Sequence, residues 1–215
     1  EAAAVPVASP ASAILKPTRT QAPPVIDGRL DDEVWRAAAS VTDFETFIPE
    51  FGKVQPERTT AYMAYDAENL YFAFRCLDDE VERVKAAMAR RDSILTDDFV
   101  CINLDTYGDQ QSLYAFYANP LGVQADSRFA SNQEDFNVDM VWYSAGVIDE
   151  QGYTVEMRIP LKSIRYSRGS RVEMRVFFER TVSRRGEHAS FPALDPARGY
   201  AFLTQMAPME YFDLE

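Results

Sequence analysis

Four aspartates bracket one short apolar segment: Asp97 and Asp98 lead into it in SILTDDFVCINLDT, Asp105 closes it and Asp109 follows. Hard oxygen ligands at strand ends and in loops suit calcium, so these four are candidate metal ligands, although the run is not the D-x-D-x-D-G loop of a helix-loop-helix calcium site. The same acids also suit a structural part, capping a turn and keeping a strand edge soluble. Glycoside hydrolysis needs two carboxyl groups flanking the scissile bond, one of them with its pKa raised by burial. Because 34 residues are Asp or Glu, spacing singles out no such pair, and a glycoside hydrolase unit stays an alternative.

Other chemistries find few partners. The only histidine, His188, lies in RRGEHASFP, which reads as a polar loop. Without a G-x-S-x-G turn it does not make a serine hydrolase, and without nearby nitrogen or sulfur ligands it does not make a zinc site. None of the nine glycines falls in a phosphate-cradling pattern. Met63, Met157 and His188 are the residue types that could hold a haem axially, but both methionines also fit the apolar alternation of strands, so haem is not expected.

Aromatic residues offer a binding surface instead. Trp142 enters VWYSAGVI with Val141 and Tyr143 on the opposite face, so either it packs in the core or its indole forms an outer platform with Tyr114 or Tyr107. Arg128 and Asp126 in GVQADSRF would add hydrogen bonds to such a platform, or else pair with each other. Trp35, inside DDEVWRAAA, is expected to plug the core.

The elements that must position these groups are mostly strands. In GYTVEMRI, Tyr153, Val155, Met157 and Ile159 share one face, with Thr154, Glu156 and Arg158 on the other. RVEMRVFFER alternates in the same way, with Val172, Met174, Val176 and Phe178 against Glu173, Arg175, Phe177 and Glu179. Strands are further predicted in TTAYMAY, NLYFAFRC, FVCINLD, QSLYAFYA, GVQADSRF, VWYSAGVI and YAFLTQ, separated by turn signals such as DAEN, NPLG and DEQG. Pro160 should end its strand, since it cannot donate to a ladder. Two short helices are expected, over Asp31–Ala39 and in EVERVKAAMARR. The pattern predicts an all-β, antiparallel β-sandwich, jelly-roll-like, with one or two short helices.

Composition bounds the partners. Thirty-four acidic against 22 basic residues give a formal charge of −12, which would repel nucleic acid and anionic membrane surfaces. No apolar run reaches the roughly 18 residues needed to span a bilayer as a helix. Residues 1–22, rich in Ala, Pro, Ser and Thr, read as the tail or linker of a mature exported chain, ahead of one domain over 23–215. Cys76 and Cys101 each lie within an apolar strand, where buried free thiols are expected unless the two strands are neighbours.

PPVIDGRLDDEVWRAA, TTAYMAYDAENLYFAFRCLDDE, DDFVCINLDT and GYTVEMRIPLKSI follow in the order and spacing of the family 9 carbohydrate-binding modules, and the chain resembles that family over about residues 23–205. The resemblance implies an antiparallel sandwich and a non-catalytic domain that recognises a glycan or other ligand. YAFYANPLGVQADSRF, DMVWYSAGVIDEQGY and RIPLKSIRY are similar to the amino-terminal domain of a bacterial outer-membrane family in which such a sandwich precedes a β-barrel. That likeness implies export to the periplasm or cell surface, and the alternative of an interaction or gating domain for the barrel without sugar binding. Sugar-binding members of family 9 stack a terminal sugar between two tryptophans. Their first tryptophan aligns with Leu95, their strand glutamate with Cys101 and their Arg-x-Asn pair with Tyr114 and Phe116, while FPALDPARGYAF offers no second tryptophan. The resemblance thus predicts the shape of the sandwich better than the sugar contacts.

Overall fold

The computed structural model describes residues 13–214, so residues 1–12 of the expected tail lie outside it. Two sheets face each other. The smaller contains, in spatial order, β1 (Thr18–Arg19), β4 (Thr59–Tyr65), β5 (Asn69–Leu77), β11 (Gly152–Pro160) and β10 (Tyr143–Asp149), with β2 (Ala39–Val41) also on β4. The larger runs β3 (Glu45–Ile48), β13 (Glu187–Phe191), β12 (Gly169–Val182), β6 (Phe99–Asp105), β7 (Ser112–Ala118), β8 (Gln124–Ala130) and β9 (Gln133–Asp135), with β14 (Ala207–Leu214) on β12. At 14 residues, β12 is long enough to pair β14 along its first half and β13 along its second, while β6 covers the other edge. Pairing is antiparallel apart from β1 on β4 and a bridge from Leu15 to Met209, so the chain start leans on both sheets.

The period-two pattern dictates the core. Leu70, Phe72, Phe74 and Cys76 of β5 and Tyr153, Val155, Met157 and Ile159 of β11 meet Val100, Ile102 and Leu104 of β6 and Val172, Met174, Val176 and Phe178 of β12. Phe178 touches Phe72 and Phe74 across the gap, each at 5.9 Å between ring centroids. Met63 and Met157 lie buried in this core, as their alternation requires. The outer face of the smaller sheet is covered by α1 (Glu33–Ala37), whose Trp35 is buried over Ala64, Tyr71 and Ala73. Trp35 is thus a plug, as the sequence suggests. The thiols stay free and buried: Cys76 faces the inter-sheet core, whereas Cys101 faces outward from the larger sheet.

Three expectations give way to different structure. EVERVKAAMARR forms only a 3-10 turn over Val81–Arg83. Beyond it the backbone takes partners outside the segment: Ala87 donates to the Asp97 carboxylate, Asp98 N–H donates to the Lys85 carbonyl, and Asn119 Nδ2 donates to the Ala87 carbonyl. These replace the i to i−4 ladder a helix would need, and Met88 is left exposed. YAFLTQ is not a strand but part of a 3-10 stretch, Pro196–Gln205, kinked at Gly199 where φ is 53°. EHASF, taken as a polar loop, is strand β13. Its outward residues are polar, which hides the alternation from a hydropathy reading.

Candidate ligand-binding site

The outer face of the larger sheet is the side away from the core, and it carries a second apolar cluster. Phe99 and Cys101 of β6, Leu113, Ala115 and Tyr117 of β7, Ala125 and Phe129 of β8 and Phe177 of β12 form it, covered in part by Ile94, Leu194, Leu203 and Met206. Strand alternation forces this: on each strand the odd-numbered residues face out while Val100, Ile102, Phe116 and Phe178 face in. Register then lines up Glu179, Cys101, Tyr117 and Ala125 in one row across four strands.

A groove of about 380 Å³ opens on this face. Its aromatic wall is a chain of edge contacts, with Phe129 to Phe202 at 5.1 Å and Phe177 to Phe202 at 6.0 Å. At the other end Phe47 lies 5.8 Å from the His188 ring. Polar groups stand at two places. His188 Nδ1 is 2.8 Å from Glu179 Oε1 and 3.0 Å from Thr181 Oγ1, which fixes the imidazole plane. Glu134 Oε1 accepts from Tyr117 Oη at 2.9 Å and Ser127 Oγ at 2.6 Å. Burial pushes the Cys101 thiol well up, and the charges of Glu179 and Glu134 push it further, so the layer sealed beneath the groove holds a neutral thiol. Tyr117 is raised by the same causes, burial first, and stays a phenol that can donate. Asn103, almost fully buried, lines the groove and donates to Cys101 Sγ at 3.3 Å. An apolar ring face could lie on the phenylalanines while hydroxyls or amines met the carboxylates, imidazole and amide at the rim.

The residues expected to bind ligand lie elsewhere. Trp142 is 4% exposed, packed at 5.4 Å against Phe116 in the inter-sheet core, with its Nε1 donating to Asp126 at 3.3 Å. The outer indole platform is therefore corrected to a core contact, and it is Tyr143 that faces solvent. Tyr114 and Arg128 are cross-strand partners, with the guanidinium 5.8 Å from the ring centroid, but they share the inward-facing side of β7 and β8 with Phe116. Tyr107 is exposed in the turn after β6 and lines no part of the groove. Asp126 is fully buried and pairs with Arg91 rather than Arg128, while also accepting from Met140 N–H.

The four candidate metal acids are divided between the two ends of β6, seven residues and so roughly 20 Å apart. Asp97 accepts from Ala87 N–H and Asn119 Nδ2, Asp98 from Ser183 N–H, and Asp105 from the N–H groups of Tyr107, Gly108 and Gln110. Asp109 accepts from Gln111 N–H. These acids hold turns, and among the described residues no three His, Cys, Asp or Glu are grouped to hold a metal ion.

Residues 26–187 match the family described as carbohydrate family 9 binding domain-like. The chain belongs to that family. Among solved structures it is similar to a candidate carbohydrate-binding protein from Bacteroides uniformis ATCC 8492, with TM-score 0.70, 12% identity and coverage of 92% of this chain and 96% of that one. It is also similar to a family 9 carbohydrate-binding module from Caldicellulosiruptor kristjanssonii in complex with cellotriose, with TM-score 0.63, 16% identity and coverage of 94% and 95%. The match to a module of the same organism in complex with glucose has TM-score 0.61, 18% identity and coverage of 93% and 97%. At these identities the likeness is one of fold. No curated protein matches the chain.

Cys101 pairs directly with Tyr117, so the β7 residues on its face are Ala115 and Tyr117, while Tyr114 and Phe116 point to the other side. The segment FPALDPARGYAF lacks a tryptophan but delivers the Phe202 ring to the groove wall. Sequence reading missed Phe47, Glu134, Glu179, His188 and Phe202 as one site. The alternation of Phe177 and Glu179 with core residues was the available signal, but it marks a face and does not say which faces adjoin.

Proposed function

We propose that this domain binds a glycan in the outer-face groove and does not cleave it. One observation carries the reading: aromatic rings and hydrogen-bonding groups converge on a single open groove on the face of a family 9 sandwich. Aromatic surface supplies apolar contact with a sugar ring, and fixed polar groups supply orientation. Related modules in complex with cellotriose and glucose support a sugar as the ligand class. Both carboxylates serve as acceptors for neighbouring side chains, which suits recognition. In this reading the chain is exported and acts at the periplasmic or cell-surface side of an outer membrane, preceding a β-barrel. No helix among the described residues is long and apolar enough to cross a membrane.

A second reading, an interaction or gating domain for the barrel, is favoured by Leu95, which is 42% exposed at the position the resemblance gives to a stacking tryptophan. Isothermal calorimetry with glucose and cellotriose, followed by a glycan array, separates the two. Glycan recognition predicts binding at millimolar concentration or better, weakened about tenfold by Phe202→Ala. No binding of any sugar would leave the interaction reading standing.

A further inference from the structure

The chain as a whole is strongly acidic, yet one recess has the opposite sign. A cavity of about 500 Å³ at the Pro160 end of β11 is lined by Arg158, Lys162 and Arg168, with Tyr143 and Asn69 beside them and Glu68 as its one acid. Several arginines elsewhere hold carboxylates, as Arg75 holds Asp149 and Arg185 holds Glu57. The three cations of this recess hold none among the described residues. Net charge and local charge thus disagree here, and the disagreement is not neutralised from within the protein.

Arg158 is the built part of the recess. It stands directly opposite Tyr143 on the neighbouring strand, and its guanidinium lies over the Tyr143 ring at 4.1 Å from the centroid. Such stacking restrains the plane of the fork, so less side-chain freedom remains to be lost when something binds it. Its Nε is buried and has no hydrogen-bond partner. That edge of the guanidinium is shut off from solvent, so a carboxylate or phosphate in the recess would set two oxygens against the two terminal nitrogens. Lys162 and Arg168 are exposed and add charge without competing for that geometry.

We propose that this recess is a second ligand site, for a carboxylate or phosphate oxyanion gripped by the Arg158 fork, with Lys162 and Arg168 balancing its charge. It stands on the smaller sheet, whereas the aromatic groove belongs to the larger, so it does not depend on the glycan reading. A uronic acid and inorganic phosphate both present this chemistry, and they are distinguishable by direct measurement.

The test is calorimetry on the purified chain at low salt with glucuronate, inorganic phosphate and, as the uncharged control, glucose. At least one anion binds, with heat that glucose at the same concentration does not displace, and the affinity falls as salt is raised. Arg158→Lys keeps the charge but loses the fork, and weakens binding about tenfold or more. Arg168→Gln, at an exposed position where folding is not at risk, weakens it by about threefold. Binding of glucuronate alone assigns a carboxylate ligand, and binding of phosphate alone assigns a phosphoryl one. If neither anion binds, or if both variants bind as the parent does, the site is refuted.

Discussion

Replacing Glu156 with glutamine should remove one segment of the pH dependence of folding. Glu156 lies on the outer face of β11, with no exposed surface, beneath the segment that leads into α1. Its Oε1 accepts from Trp35 Nε1 at 2.7 Å, and its Oε2 from Asp27 N–H at 3.0 Å and Gly28 N–H at 2.7 Å. Two effects oppose each other here. Burial pushes the carboxyl up to about 7 from 4.5, while the three donors pull it down. With burial ahead, the native state keeps its proton between about pH 4.5 and 7 and the unfolded chain does not. Folding stability from this group is then fully present below about pH 4.5 and is lost as pH rises through about 7. The shift bounds the loss at about 3 kcal/mol, and at about 1–2 kcal/mol once screening through the exposed Asp27 is allowed for. Glutamine cannot titrate, and its amide sets a donor against donors whichever way it is turned, a constant penalty of about 1–3 kcal/mol. Urea unfolding of both proteins at about pH 4.5, 6 and 8 gives the difference at each pH. Asp98 and Asp105, which burial also raises, contribute to both and cancel. The stability gap between parent and variant should narrow by about 1–2 kcal/mol across that range. A gap that stays constant would mean that the three donors hold the carboxylate ionised in spite of burial, and the reasoning would fail.

Trp142→Ala should cost about 3–5 kcal/mol in thermal or urea unfolding, because the indole fills the space beside Phe116, and should leave glycan affinity unchanged. Loss of binding with little loss of stability would restore an exposed platform. Adding chelator, or excess calcium, should leave Tm unchanged, since the Asp97, Asp98, Asp105 and Asp109 carboxylates already accept from the protein's own donors. A calcium-dependent rise in Tm would show a site that these contacts do not account for.

What the sequence could tell follows from what a single periodicity can carry. TTAYMAY and FVCINLD coincide with β4 and β6, because a short apolar, β-branched and aromatic segment bounded by turn signals is a local property. Trp35 was legible for a similar reason, lying among helix formers with a long apolar side chain to bury. EVERVKAAMARR carried equally good helix formers but straightens, because Asp97 and Asn119 claim its backbone groups, and that competition comes from residues distant along the chain. Trp142 shows the limit from another side. Knowing that Trp142 and Tyr143 face opposite ways does not say which way is in, and a one-residue change of register exchanges every answer.

The groove was hidden for a further reason, which strand β6 makes plain. Its inward residues, Val100, Ile102 and Leu104, belong to the inter-sheet core, while Phe99, Cys101 and Asn103 face the groove side, so alternate positions of one strand answer to different demands. Core volume constrains the first set tightly, since even a methylene is felt there. The second set is buried too, but against the segments that cover this face, where a different residue also reshapes the groove. Cys101, sealed beneath the groove with Glu179 and Tyr117 supplied by the neighbouring strands, is the expected product of that division. The fold can therefore remain that of a family 9 module while the contacts on its outer face are rebuilt. For the same reason the ligand has to be argued from the rings and acids of the groove itself, and the strand pattern that predicts the sandwich so well is silent about it.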